Sequence, residues 1–240
     1  MTDFLTRWLP WAIAGLMLCA ASQAIAAPAC DPVQALVAQT PVIEQSPARV
    51  MKARQQQKIS GALDVALFGD SLAENWGPNL KRDFGAASVG NFGIFGDHIQ
   101  ELLWRLKEMP PAIQPKNIVL IIGTNNLWDG SFAPCGVSQG VVAVVDELRS
   151  RWADSPIYVV PILPRGSGFT FRAKDRLEVN ADIERDLAGK TGVTLVKIDE
   201  DELTCGFAKQ GCANYAVDKL HLSPDGYTIL RSSLEEAGLR

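Results

Sequence analysis

The chain has 240 residues, 47% of them hydrophobic and 21% charged, with a net charge of −4. That balance describes one globular domain without disordered or fibrous bias. It carries no basic stripe, and a phosphate backbone needs clustered Lys and Arg, so a nucleic-acid partner is excluded.

The first residues do not belong to the fold. Arg7 precedes an apolar run from Trp8 to Ala21, and Ala24-Ile25-Ala26 fits the A-x-A pattern of a signal-peptide cleavage site. The run is shorter than the ~20 residues a membrane span needs, and Pro10 interrupts its start. Residues 1–26 read as a signal peptide and the mature chain as extracytoplasmic, periplasmic or secreted, with no stable membrane span after cleavage. Asp3 is unusual in such a leader and keeps an uncleaved anchor as the alternative. Loss of Cys19 leaves Cys30, Cys135, Cys205 and Cys212, an even set suited to an oxidising compartment. Cys205 and Cys212 flank a short Gly-containing loop and are the first pair expected, with Cys30 to Cys135 following by elimination. Four buried thiols are the other reading, since connectivity is not written in sequence. No second His stands at metal-ligand spacing from these cysteines, so no metal site is expected.

Residues 27–60 read as a lead-in with one helix, Pro47 to Lys58, and residues 61–240 as the main domain. In chain order, strand-like runs are Leu63 to Phe68, Ser88 to Phe92, Asn117 to Ile122, Pro156 to Leu163 and Thr194 to Ile198. Helical patterns lie between them, clearest at Asp97 to Lys107, Val137 to Trp152 and Phe171 to Ala188. A last helix begins at Ser223-Pro224-Asp225, where Ser caps and Pro takes the first turn. Strands alternating with helices imply right-handed crossovers and a parallel sheet covered on both faces. In such sheets, sites form beyond the carboxyl ends of the strands.

Chemistry is therefore sought at that edge. The first strand breaks at Gly69-Asp70-Ser71-Leu72, which sets Ser71 between a strand end and a helix N-terminus, where backbone N–H groups stabilise negative charge. After the second strand comes Asn91-Phe-Gly93-Ile-Phe-Gly96-Asp97, in which the N–H of Gly93 can approach a substrate oxygen closely. After the third comes Gly123-Thr-Asn125-Asn126, with amide donors at the same edge. Near the end, Asp218-Lys-Leu-His221 has the spacing for a carboxylate to reach His Nδ1 and leave Nε2 free as base. The chain has two histidines, and His98, beside Asp97 at a helix start, is the weaker candidate base.

These four segments, in this order, resemble the SGNH (GDSL) hydrolases. More narrowly, Asn91-Phe-Gly-Ile, Leu103-Trp-Arg-Leu-Lys, Leu163-Pro-Arg-Gly166 and Leu220-His-Leu resemble the catalytic-subunit family of platelet-activating-factor acetylhydrolase. The resemblance runs from about Leu63 to the end. It implies a flavodoxin-like three-layer α/β/α fold on a five-stranded parallel sheet, and hydrolysis of acyl esters. Carried over by motif, Ser71 is the nucleophile, Asp218 and His221 complete its triad, and Ser71, Gly93 and Asn125 form the oxyanion hole. No cofactor is required. The signal peptide and extra cysteines depart from the intracellular subunits. The expected substrates are short-chain acyl esters of carbohydrates or small lipids, with Trp128 and Arg165 as candidate substrate contacts. An O-acyltransferase with the same triad, and a non-catalytic binding module on the same fold, are the competing functions.

Two decoys are set aside. Gly136-Val-Ser138-Gln-Gly140 matches the G-x-S-x-G elbow, but the loop-like Asp129 to Cys135 stands where a buried strand is required. Gly189-Lys-Thr191 resembles the tail of a P-loop, but it closes a helix instead of opening one.

Overall fold

A computed structural model describes residues 30–128, 130–208 and 211–240. The expected signal peptide lies outside the described residues. Five strands, β1 (Gly61–Gly69), β2 (Val89–Gly93), β3 (Ile113–Ile121), β4 (Ile157–Val159) and β5 (Val193–Leu195), form one sheet in the order β2-β1-β3-β4-β5. Every pairing is parallel. The strands alternate their side chains between two apolar layers: Ala66, Phe68, Ile118 and Leu120 face one, and Val65, Leu67, Val119 and Ile121 the other. The first layer is closed by α5 (Ile99–Glu108), α6 (Pro134–Arg151) and α7 (Ala173–Leu187). The second is closed by α3 (Ser71–Glu74), α4 (Leu80–Phe84), α8 (Glu200–Leu203) and α9 (Pro224–Glu236). The result is the three-layer α/β/α sandwich expected from the sequence.

Element boundaries shift from the sequence reading at several places, including β5, which is Val193–Leu195 where Thr194 to Ile198 was expected, and three of the differences have a local reason. β3 begins at Ile113, not Asn117, because β1 pairs with it from Gly61 onward. Pro115 is tolerated there because β4 joins β3 only from Ile118, so the missing N–H falls on an open edge. β4 stops at Val159, although an apolar run to Leu163 was expected; Pro161 has no N–H to continue the ladder. The lead-in holds two helices, not one: α1 (Pro32–Gln39) and α2 (Pro47–Gln56). Asp31 caps α1 by accepting the Val33 N–H at 2.8 Å, with Pro32 in the first turn.

Cys30 bonds Cys135, tying α1 to the start of α6, and Cys205 bonds Cys212. This close approach accounts for the decoy elbow. A Cβ on Gly136 would stand 2.9 Å from the Gln34 carbonyl oxygen, and one on Gly140 3.0 Å from that of Ala38. Ser138 is buried inside α6, its hydroxyl donating to the Cys135 carbonyl at 2.9 Å. Gly136 and Gly140 are small because α1 runs over them, not because a nucleophile turns there.

Chain order reverses between β1 and β3: β2 lies on one side of β1, and β3 to β5 on the other. The crevice beyond the carboxyl ends of β1 and β3 is the switch point where such sheets bind ligands. Ser71 follows β1 and Asn125 follows β3, one on each side of it.

Candidate active site

Asp70 ends β1 by capping α3, its Oδ1 accepting the Leu72 N–H at 2.9 Å. That cap holds Ser71 at the first position of α3, nearly buried, with its N–H turned out of the helix. From the other end of the chain, Ser223 caps α9 through the Gly226 N–H at 3.2 Å. The preceding turn is held by the Ala216 N–H on the His221 carbonyl at 2.8 Å and by a bridge between Tyr215 and Leu222. Tyr227 of α9 fastens this turn to α3, its hydroxyl donating to the Leu72 carbonyl at 2.8 Å.

These anchors bring three side chains into line. Ser71 Oγ lies 2.9 Å from His221 Nε2, and His221 Nδ1 lies 2.6 Å from Asp218 Oδ2. Asp218 Oδ1 also accepts the N–H groups of Leu220 and His221 at 2.9 and 3.0 Å. Partial burial raises the Asp218 pKa, but the bonds from the imidazole and the two N–H groups outweigh it and hold the carboxyl below its ordinary value. An ionised Asp218 accepts a hydrogen bond from the Nδ1–H of His221, which fixes the tautomer and leaves Nε2 as acceptor for the Ser71 hydroxyl.

The role expected of Gly93 needs correction. Its N–H is already donated to the Asn91 side chain at 2.9 Å. Its lack of a side chain is explained by packing, since a Cβ there would sit 2.2 Å from the Glu74 backbone nitrogen. A candidate donor that sequence reasoning missed is three residues on. Ile94 to Asp97 form a turn closed by the Asp97 N–H on the Ile94 carbonyl at 3.2 Å, with Gly96 at φ +79°. Glu74 accepts the Phe95 N–H, and Lys52 of α2 pairs with the same carboxylate. Among the described residues the N–H groups of Ser71 and Gly96 have no hydrogen-bond partner. Asn125 donates through Nδ2 to the Asp97 carbonyl at 2.8 Å, so it stands beside that turn with one N–H still available. The Phe95 ring stacks on His221, with centroids 5.8 Å apart. The signal for Gly96 was present in Phe95-Gly96-Asp97, a glycine-bearing turn just ahead of a helix.

The neighbouring asparagine differs in role. Asn126 is buried and structural, accepting the Ile99 N–H at 3.0 Å and donating to Gln100 at 2.9 Å. Trp128 stands exposed at the rim. Arg165, the other candidate substrate contact, is buried, with Nη1 donating to the Thr124 carbonyl at 2.6 Å, and so holds the Asn125 loop from within. His98 heads α5, its N–H on Glu101 at 2.9 Å, and the Glu101 hydrogen bond raises its imidazole pKa. It has no link to Ser71. Trp76 is core, stacked on Tyr227 and donating to Asp83 at 2.7 Å.

Beneath the site lies a buried charged group. Arg105 pairs with Asp97 at 2.6 Å and donates to the carbonyls of Phe92 at 3.0 Å and Gly69 at 3.2 Å, knitting the ends of β1 and β2 to the Gly96 turn. Burial pushes Asp97 up to about 6 against the pull of Arg105, and pushes Asp70 up to about 7.

The profile of the GDSL-like Lipase/Acylhydrolase family matches residues 62–229. The chain belongs to that family. It is similar to the human platelet-activating factor acetylhydrolase IB subunit alpha1, at 33% identity over 188 residues, 74% of this chain and 76% of that one. A Bacteroides fragilis structure assigned as an acylhydrolase superposes with TM-score 0.66 at 18% identity, covering 82% of this chain and 100% of that one. An acetylxylan esterase from Geobacillus stearothermophilus superposes with TM-score 0.57 at 17% identity, covering 76% and 97%. Membership of the family makes this acylhydrolase an ester hydrolase with a small-molecule substrate.

Proposed function

We propose that the chain hydrolyses short-chain acyl esters of carbohydrates or small lipids outside the cytoplasm, through an acyl-enzyme on Ser71. The observation that carries this reading is the continuous path from Ser71 Oγ through His221 to Asp218, at 2.9 and 2.6 Å, on the rim of the switch-point crevice. Ser71 Oγ attacks the ester carbonyl carbon as His221 Nε2 takes the hydroxyl proton. The carbonyl oxygen becomes an oxyanion held by the N–H groups of Ser71 and Gly96 and by the Asn125 amide, with Gly96 in the place first given to Gly93. The bond to the alcohol oxygen then breaks, and His221 returns the proton to the leaving alcohol. Water adds to the acyl-enzyme and gives a proton to His221, which returns it to Ser71 Oγ as the Ser71–acyl bond breaks and the acid leaves.

Export is supported by the A-x-A pattern at Ala24-Ile25-Ala26 and by two disulfides, which persist in oxidising compartments. No helix among the described residues is long and apolar enough to cross a membrane. Sequencing the N-terminus of the exported protein tests this part: Ala27 is expected first, and a retained Met1 contradicts it.

The test of the chemistry is a p-nitrophenyl ester series from acetate to palmitate on the parent, Ser71→Ala and Ser138→Ala. Maximal turnover is expected on acetate or butyrate, with Ser71→Ala at background and Ser138→Ala active. Full activity in Ser71→Ala, or a maximum at palmitate, overturns the reading. An added alcohol acceptor tests transfer against hydrolysis; transfer outrunning hydrolysis makes the chain an acyltransferase.

A further inference from the structure

Two exposed rings on the rim form a unit. Trp128 is 57% exposed and Phe171 38% exposed, and their centroids lie 5.4 Å apart with planes tilted by 40°. Behind both sits Arg165, only 3% exposed, its guanidinium carbon 5.7 Å from the Trp128 centroid and 5.1 Å from that of Phe171. The same guanidinium holds the Thr124 carbonyl, immediately before Asn125. Phe171 belongs to a loop fastened to the other half of the site, where the Gly166 N–H donates to the Lys219 carbonyl at 2.8 Å, between Asp218 and His221. The ring pair therefore bridges the Asn125 loop and the His221 turn. A single exposed aromatic residue is ordinary, but two in contact, backed by a buried cation, make a built surface.

Three ligand chemistries use aromatic faces: an organic cation, an acyl chain and the C–H face of a sugar ring. The cation is disfavoured, because Arg165 already draws on the π density of both rings from behind, and Arg172 adds positive charge close by. An acyl chain needs a wholly apolar trough, but the edge of this surface is polar. Arg172 pairs with Asp175 at 2.9 Å, and its Nη2 lies 2.8 Å from where a Cβ on Gly130 would stand. A pyranose offers a flat C–H face to the rings and hydroxyls to that charged edge. It satisfies both.

We infer that Trp128 and Phe171 form a stacking subsite for an uncharged sugar ring in the alcohol part of the ester, with Arg172 and Asp175 along its hydroxyl edge. This rests on the esterase reading of Ser71 and narrows its substrate class to acylated carbohydrates.

The test is calorimetric titration of xylohexaose, cellohexaose and chitohexaose into the parent, Trp128→Ala, Phe171→Ala and Trp128→Phe proteins, alongside turnover of p-nitrophenyl acetate by the parent. At least one hexaose is expected to bind. Each alanine variant should weaken that binding tenfold or more, and Trp128→Phe, which keeps a ring face, should retain most of it. No binding of any hexaose, equal binding by Trp128→Ala, or displacement of the sugar by tetramethylammonium overturns the subsite. The two readings fail separately. Ring-dependent sugar binding without p-nitrophenyl acetate turnover rejects the esterase and leaves the subsite, whereas turnover without sugar binding rejects the subsite alone.

Discussion

Asn125→Ala separates electrostatic stabilisation from mere loop support. The Asn125 amide has two N–H groups, and one is committed to the Asp97 carbonyl at 2.8 Å. The substitution therefore removes two things at once. Loss of an oxyanion donor typically costs ~10²–10³ in kcat, about 2.7–4 kcal/mol of transition-state stabilisation. Loss of the Asp97 tether costs about 0.5–1.5 kcal/mol, the net worth of one such hydrogen bond, and falls on the stability of the Gly96 turn. The expected outcome is a kcat lower by about two to three orders of magnitude, a KM changed by no more than a few-fold, and a small fall in Tm. Initial rates on p-nitrophenyl acetate, normalised to folded protein, measure the first two; a thermal melt measures the third. Asn125→Asp keeps the shape but removes the donors and sets a carboxylate where negative charge develops, so it should be at least as impaired. An Asn125→Ala kcat within threefold of the parent, with only the Tm lowered, refutes the reasoning and reduces Asn125 to a tether.

Two further outcomes test the buried charges. Asp70 has its carboxyl raised to about 7 by burial, from 3.8. A raised native value means the folded chain holds the proton longer than the unfolded one, so this group's contribution to stability is fully present below about 4 and is lost as pH rises through 7. Asp70→Asn keeps the acceptor for the Leu72 N–H without the charge; its stability relative to the parent should grow between pH 4 and 7 in urea melts, and a flat difference contradicts the assignment. Arg105→Leu leaves Asp97 buried without its partner and should cost about 3–5 kcal/mol. Arg105→Leu with Asp97→Asn should recover part of that in the same melts, and a double variant as unstable as the sum of the singles argues against the pair.

The sequence made the site legible wherever a role depends on a short run of residues. Asp218 and His221 meet within one turn, and Ser71 follows a strand end, so spacing and periodicity suffice to nominate them. The turn signal at Gly96 did not by itself set it above Gly93, because both glycines stand within three residues of each other at the end of β2. The choice turns on which N–H is already taken, and Asn91 and Glu74 decide that from elsewhere in the chain. For a similar reason the support that Arg165 gives the Asn125 loop was not legible: Leu-Pro-Arg-Gly does not show that Thr124, 41 residues away, receives it. The lead-in was read as a segment with one helix ahead of the main domain and given no part in the site, but Lys52 grips Glu74 and Gln56 donates to the Gly93 carbonyl at 2.9 Å. A solvated helix and one whose cations reach the site look alike in sequence. Strand ends failed where proline governs them, as at Pro115 and Pro161, because the cost of a missing N–H depends on whether a neighbour strand is there to ask for it.

The most direct measurement of the central claim is mass spectrometry after reaction with a fluorophosphonate ester, which phosphonylates an activated serine and expels fluoride. One adduct per chain is expected, on the peptide carrying Ser71, with labelling slowed strongly in His221→Ala. An adduct on Ser138, or none on Ser71 in folded protein, contradicts the account.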